Sequence, residues 1–83
     1  MPDRPSRLWK TLTPAARLKA ATAFWSDEDS PEVQMQHVEA ALLIARRMNF
    51  RPRSVAAMSV ERRARALAQV PDVSDAIATR ALI

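Results

Sequence analysis

Residues 30–50 read SPEVQMQHVEAALLIARRMNF, the longest stretch of the chain with a sustained helical period, and its ends are marked by chemistry. Ser30 is placed to accept a hydrogen bond from an early backbone N–H, and Pro31 takes the first helical position, where a missing N–H costs nothing. Glu32 puts negative charge in the first turn, and Arg46 and Arg47 put positive charge in the last, so both ends agree with the helix dipole. On a helical wheel, Val33, Met35, His37, Val38, Ala41, Leu42, Ile44, Ala45 and Met48 fall in one arc of about 200°, interrupted by Gln34 and Asn49. Gln36, Glu39, Arg46 and Arg47 lie opposite, with Leu43 the large apolar residue among them. So wide an arc exceeds what a surface helix needs. It predicts a helix from Pro31 to about Asn49 that touches neighbours on two sides and forms the middle of a bundle.

The composition around this helix points the same way. Eighty-three residues make one domain, and a chain this short buries only about 60% of its unfolded surface, which leaves no spare core for a buried active-site cleft. There is no cysteine, so disulfides, zinc–thiolate sites and thiol nucleophiles are excluded. There is no glycine either, which removes phosphate-cradling glycine loops and most left-handed helix caps. Abundant alanine punctuated by six prolines favours short helices over strands. The longest apolar run, Ala40 to Ala45, is far short of the roughly 20 residues that cross a bilayer. The opening MPDRPSRLWK lacks the apolar core of a secretory signal. Residues 1–25 are poor in acids and carry five basic residues, loosely like an organelle transit peptide, but the same segment reads well as folded structure.

The net charge of +4 is distributed in blocks. Residues 1–25 sum to +4, residues 26–45 to −5, residues 46–65 to +6 and residues 66–83 to −1. The acidic block can pair with a basic one within a monomer or between two copies, and only the remainder is free for an outside partner.

Taken in order, residues 1–5 read as a loose arm and residues 6–83 as a single helical domain. Leu8, Trp9 and Leu12 suit a helical turn or two, and Thr13-Pro14 then repeats the start device of Ser30-Pro31. The helix it opens, Pro14 to Trp25, carries Pro14, Leu18, Ala21, Phe24 and Trp25 on one face. The link Ser26-Asp27-Glu28-Asp29 is so short that it predicts antiparallel packing of this helix on the next. Its alternating carboxylates do not make a calcium loop, because there is no glycine and Pro31 starts a helix. Pro52 forces Arg51 out of the helical region. A short turn at Val55 to Met58 follows, then a helix from Val60 to Val70 with Val60, Ala64, Leu67, Ala68 and Val70 inward and Glu61, Arg62, Arg65 and Gln69 outward. A terminal helix starts near Ser74. Its apolar residues on both sides call for cover by neighbouring helices, by a second chain or by further sequence.

Candidate chemistry is sparse. His37 falls in the apolar arc with no ligand partners at helical spacing, so it reads as a packing histidine. No nucleophile–base–acid set, paired carboxylates or phosphate loop is visible, and the chain reads as a non-enzyme with no cofactor. The feature with functional colour is the arginine cluster: Arg46, Arg47, Arg51, Arg53, Arg62 and Arg65, with Arg63 at the border of its helix. Trp9 and Trp25 read as core; if exposed they would be interface anchors, as would Leu43, Leu82 and Ile83.

The expectation is therefore an all-α fold, a compact bundle of four or five short helices around residues 31–49. It is expected to act as a cytoplasmic, self-associating interaction domain, with no membrane partner, whose arginine face meets an acidic protein. The alternative is a nucleic-acid-binding protein resembling a helix-turn-helix unit that uses the same arginines. Two features weigh against it: the outward face of the Val60 to Val70 helix has no second base-reading residue near its start, and the turn before it lacks glycine.

Overall fold

Four hydroxyl side chains open helices in the same way. Thr13 Oγ1 accepts from the Ala16 N–H at 3.2 Å, Ser30 Oγ from Val33 at 3.2 Å, Ser59 Oγ from Arg62 at 3.2 Å and Ser74 Oγ from Ile77 at 3.3 Å. Each satisfies one of the N–H groups that a helix start leaves without an internal partner. The computed structural model, which describes residues 7–26 and 30–82, is all-α, with no strand among those residues. The helices are α1 (Arg7–Thr11), α2 (Pro14–Ser26), α3 (Pro31–Met48), α4 (Pro52–Ala56), α5 (Val60–Ala68) and α6 (Asp75–Leu82). The count exceeds the expected four or five because both short turns complete a helix, and α4 begins earlier than Val55. Arg51 is extended (ψ 138°) and Pro52 takes the first helical position, a start that needs no side-chain cap. The expected arm at residues 1–5, the acidic link at residues 27–29 and Ile83 lie outside the described residues.

The end of α3 shows how a chain without glycine stops a helix. Asn49 adopts the left-handed conformation (φ 58°, ψ 37°), the only positive φ among the described residues, and its N–H reaches the Ala45 carbonyl. Phe50 N–H bonds the same carbonyl at 2.8 Å. Asparagine is the residue after glycine that tolerates this conformation, because its short amide can bond locally.

Each helix supplies one large, fully buried side chain to a common core. Trp9 (α1), Phe24 (α2), Ile44 (α3), Val55 (α4), Leu67 (α5) and Ile77 (α6) are all fully buried, joined by Val70 and Val73 from the α5–α6 connection. Trp9 is 0% exposed, and its Nε1–H donates to the Val70 carbonyl at 2.8 Å, tying the first helix to residues 61 positions away. Arg17 of α2 secures α1 from the other side: Nε donates to the Trp9 carbonyl at 2.9 Å and Nη2 to the Lys10 carbonyl at 2.7 Å. A cation at carbonyls left open by a helix C-terminus is favoured by both hydrogen bonding and the dipole.

The packing order departs from one expectation. α3 packs against α4, α5 and, more lightly, α6, while α2 packs most extensively on α5 and then on α6. α2 and α3 do not pack along their lengths despite the short link; they meet at an aromatic junction at the end of α2. The reason lies in the faces. Ala20 and Ala21 of α2 and Ala64 and Ala68 of α5 are all buried, and small side chains let two helix axes approach closely. That contact takes up the face of α2 that α3 was expected to cover. α6, whose apolar faces called for cover, finds it against α2 and α3, with Ile77, Ala78 and Ala81 buried. The radius of gyration, 11.4 Å, is close to the roughly 12 Å expected of a compact chain this long.

Two substitutions test this account by urea unfolding. Trp9→Phe keeps an aromatic ring but removes the N–H that the Val70 carbonyl accepts from and leaves part of the indole volume unfilled, and is expected to cost about 1–3 kcal/mol. Asn49→Val is expected to cost about 1–2 kcal/mol, while Asn49→Gly leaves stability unchanged or raises it, because only the β-branched side chain penalises the left-handed conformation.

Candidate interaction surface

The arginines separate into two groups. Arg46, Arg47, Arg51, Arg53, Arg62 and Arg65, the six singled out from sequence, are all exposed, and none of their guanidinium groups makes a hydrogen bond or ion pair among the described residues. They come from the last turn of α3, the α3–α4 connection and first turn of α4, and the outer face of α5. Of the three helices that carry them, α3 packs against both α4 and α5. On α5, Arg62, Arg65 and Gln69 are exposed at a spacing of three and four residues, as the inward positions Ala64, Leu67 and Ala68 require. Val60, expected inward, is exposed at the start of that helix, as are Pro14 and Leu18 on α2.

Arg63 belongs to the other group. Its guanidinium carbon lies 5.3 Å from the centroid of the Trp25 ring, within cation–π range, and its Nε is buried. It packs on the core, like Arg17, instead of facing solvent.

Trp9, Phe24 and Trp25 are inside, whereas Phe50 is exposed. Trp9 and Trp25 are buried, so neither presents an interface anchor. Phe24 meets Trp25 edge-on with centroids 4.9 Å apart, and His37 meets Phe24 edge-on at 5.0 Å. His37 Nε2 lies 3.3 Å from the Phe24 carbonyl, a bond it makes when that nitrogen carries the proton. The histidine is half-buried and joins the end of α2 to α3, as a packing residue would. Among the described residues, no group of three or more His, Cys, Asp or Glu could hold a metal ion. No helix of the described residues is long and apolar enough to cross a membrane.

What the sequence reading missed is on α3. Met35, Val38 and Leu42, placed in the core-facing arc, are 59%, 53% and 50% exposed and line the outer side of the helix. Only Val33, Ala40, Ile44 and Ala45 of α3 are buried. The available signal was the width of the arc, more than the neighbours of one small domain cover. Beside the exposed stripe runs an open groove of about 780 Å³. Its walls are Glu39, Leu42, Leu43 and Arg46 of α3, Asn49, Phe50 and Pro52 beyond it, and Ser74 and Ile77 at the start of α6. Of the remaining suggested anchors, Leu43 is half-buried in this groove and Leu82 is partly exposed at the end of α6.

The division of the arginines predicts different costs of truncation. Arg63→Ala is expected to lower stability by about 1 kcal/mol, through loss of the Trp25 contact, and to shift tryptophan emission. Arg62→Ala and Arg65→Ala should each change stability by less than about 0.5 kcal/mol; both quantities come from one fluorescence-detected urea titration. No protein-family model matches the chain, and neither a curated protein nor a solved structure is found to be similar to it.

Proposed function

We propose that the chain is a non-enzymatic helical interaction domain of the cytoplasm, self-associating, whose exposed arginines bind an acidic protein surface. The observation that carries this reading is that none of the six guanidinium groups is engaged among the described residues, whereas Arg17 and Arg63 are held by the fold. Guanidinium groups match carboxylates in planar, two-pronged geometry, and a group of them that is free in the monomer is available to an outside anion. Their spread over three segments suits a broad acidic surface better than a single groove-inserted helix.

Nucleic acid is the second reading, favoured by one feature: α5 presents Arg62, Arg65 and Gln69 in a row on its exposed face. Fluorescence anisotropy separates the two. A glutamate-rich peptide is expected to bind the wild-type domain at low salt, and Arg51→Ala/Arg53→Ala and Arg62→Ala/Arg65→Ala are each expected to weaken it about tenfold or more. Absence of peptide binding, or equal binding by these variants, overturns the acidic-protein reading. Binding of a generic duplex in preference to the peptide, lost steeply between about 50 and 200 mM salt, replaces it with the nucleic-acid one.

A further inference from the structure

The exposed side of α3 has a chemistry of its own and shares Arg46 alone with the arginine face. Met35, Val38 and Leu42 lie within about 60° of one another on the helix and form an apolar stripe pointing away from the core. One edge of the stripe carries Glu39 and Arg46, both exposed, three residues before and four residues after Leu42. Neither side chain makes a hydrogen bond or ion pair among the described residues. The other edge carries Gln34 and Ala41, which have no charge.

This arrangement is self-complementary in one orientation only. When two helices pair antiparallel about a two-fold axis, like edges face one another, and a residue i that meets j is matched by j meeting i. With the axis between Leu42 and Leu43, Glu39 of each copy faces Arg46 of the other. The two Leu42 side chains then meet at the centre, and Met35 of the second copy comes opposite Phe50, at the far end of the groove. The helix dipoles also run in opposite directions. A parallel pair instead sets the charged edge of one helix against the uncharged edge of its mate and forms no ion pair.

We infer that the Met35–Val38–Leu42 face of α3 is the homodimer surface of this protein, in which a second copy docks antiparallel and is held in register by two Glu39–Arg46 ion pairs around Leu42. The inference rests on the self-association named above and adds where it occurs and in which orientation. The face is apolar at its centre and charged at its rim, as interfaces are, and its polar partners are already present on the same chain.

Sedimentation equilibrium at two loading concentrations tests both statements and tells them apart. The wild-type chain is expected to sediment as a dimer. Leu42→Glu, at a half-exposed position that leaves the core untouched, is expected to raise the dimer dissociation constant at least tenfold with the circular dichroism of the folded domain unchanged. A wild-type chain that is monomeric at both concentrations overturns self-association and this surface together. A dimer that survives Leu42→Glu overturns this surface alone. Orientation is read by charge exchange: Glu39→Arg and Arg46→Glu should each weaken the dimer, and the double exchange should restore it. Failure of that restoration overturns the antiparallel register. Because the chain has no cysteine, Leu42→Cys gives an independent reading. It should cross-link on oxidation, whereas Met35→Cys, whose mate lies about 22 Å away along the axis at 1.5 Å per residue, should not. Cross-linking through Met35→Cys would contradict the antiparallel arrangement.

Discussion

The indole of Trp9, fully buried with its N–H on the Val70 carbonyl, is the contact on which the rest of the domain depends. A five-residue helix has almost no stability of its own, because nucleation costs more than so few internal hydrogen bonds return. α1 exists because its one large side chain is held inside and its C-terminal carbonyls are held by Arg17. The same contact closes the chain on itself, bringing the first described turn against the connection between α5 and α6. In a domain with only two tryptophans and two phenylalanines, a core with one large, fully buried side chain per helix has little redundancy. Each contributor carries a large share of a small total.

Alanine decides the arrangement around that contact. α2 packs most extensively on α5 and then on α6, and both α2 and α5 bury alanines, small side chains that let helix axes approach closely. α3 packs on α4, α5 and α6, buries Val33, Ala40, Ile44 and Ala45 and turns Met35, Val38 and Leu42 outward. Phe24, Trp25 and His37 fill the corner where the two helices part. The longest helix thus offers two apolar faces, one used by its own domain and one left on the surface beside a groove.

Electrostatics is divided in a similar way. Arg17 and Arg63 are absorbed by the fold, one on backbone carbonyls and one on an indole face. The other arginines of the 46–65 block stay in solvent, so the charge available to a partner is smaller than the sequence total for that block and lies on three segments. Surface charge of this kind contributes little to stability and much to what the domain attracts.

Much of the local structure was legible from the chain alone. The helix starts at Pro14, Pro31 and Val60 follow from a hydroxyl cap, with proline at the first helical position in two of them, and the stop of α3 follows from Pro52, which takes Arg51 out of the helical region; that Asn49 takes the left-handed cap is seen in the structure alone. These signals act over three or four residues and need no neighbour to operate. The exposed face of α5 was also readable, because guanidinium groups stay in water wherever the helix sits. What only the tertiary structure decided is which apolar residues are inside. Met35, Val38 and Leu42 have the same character as Val33 and Ile44, and nothing within α3 distinguishes them. Their fate depends on where α5 and α6 come to rest, and that is set by the close α2–α5 contact elsewhere in the chain. Hydrophobic attraction is non-directional, so it marks a residue as able to be buried, while packing against particular neighbours determines whether it is.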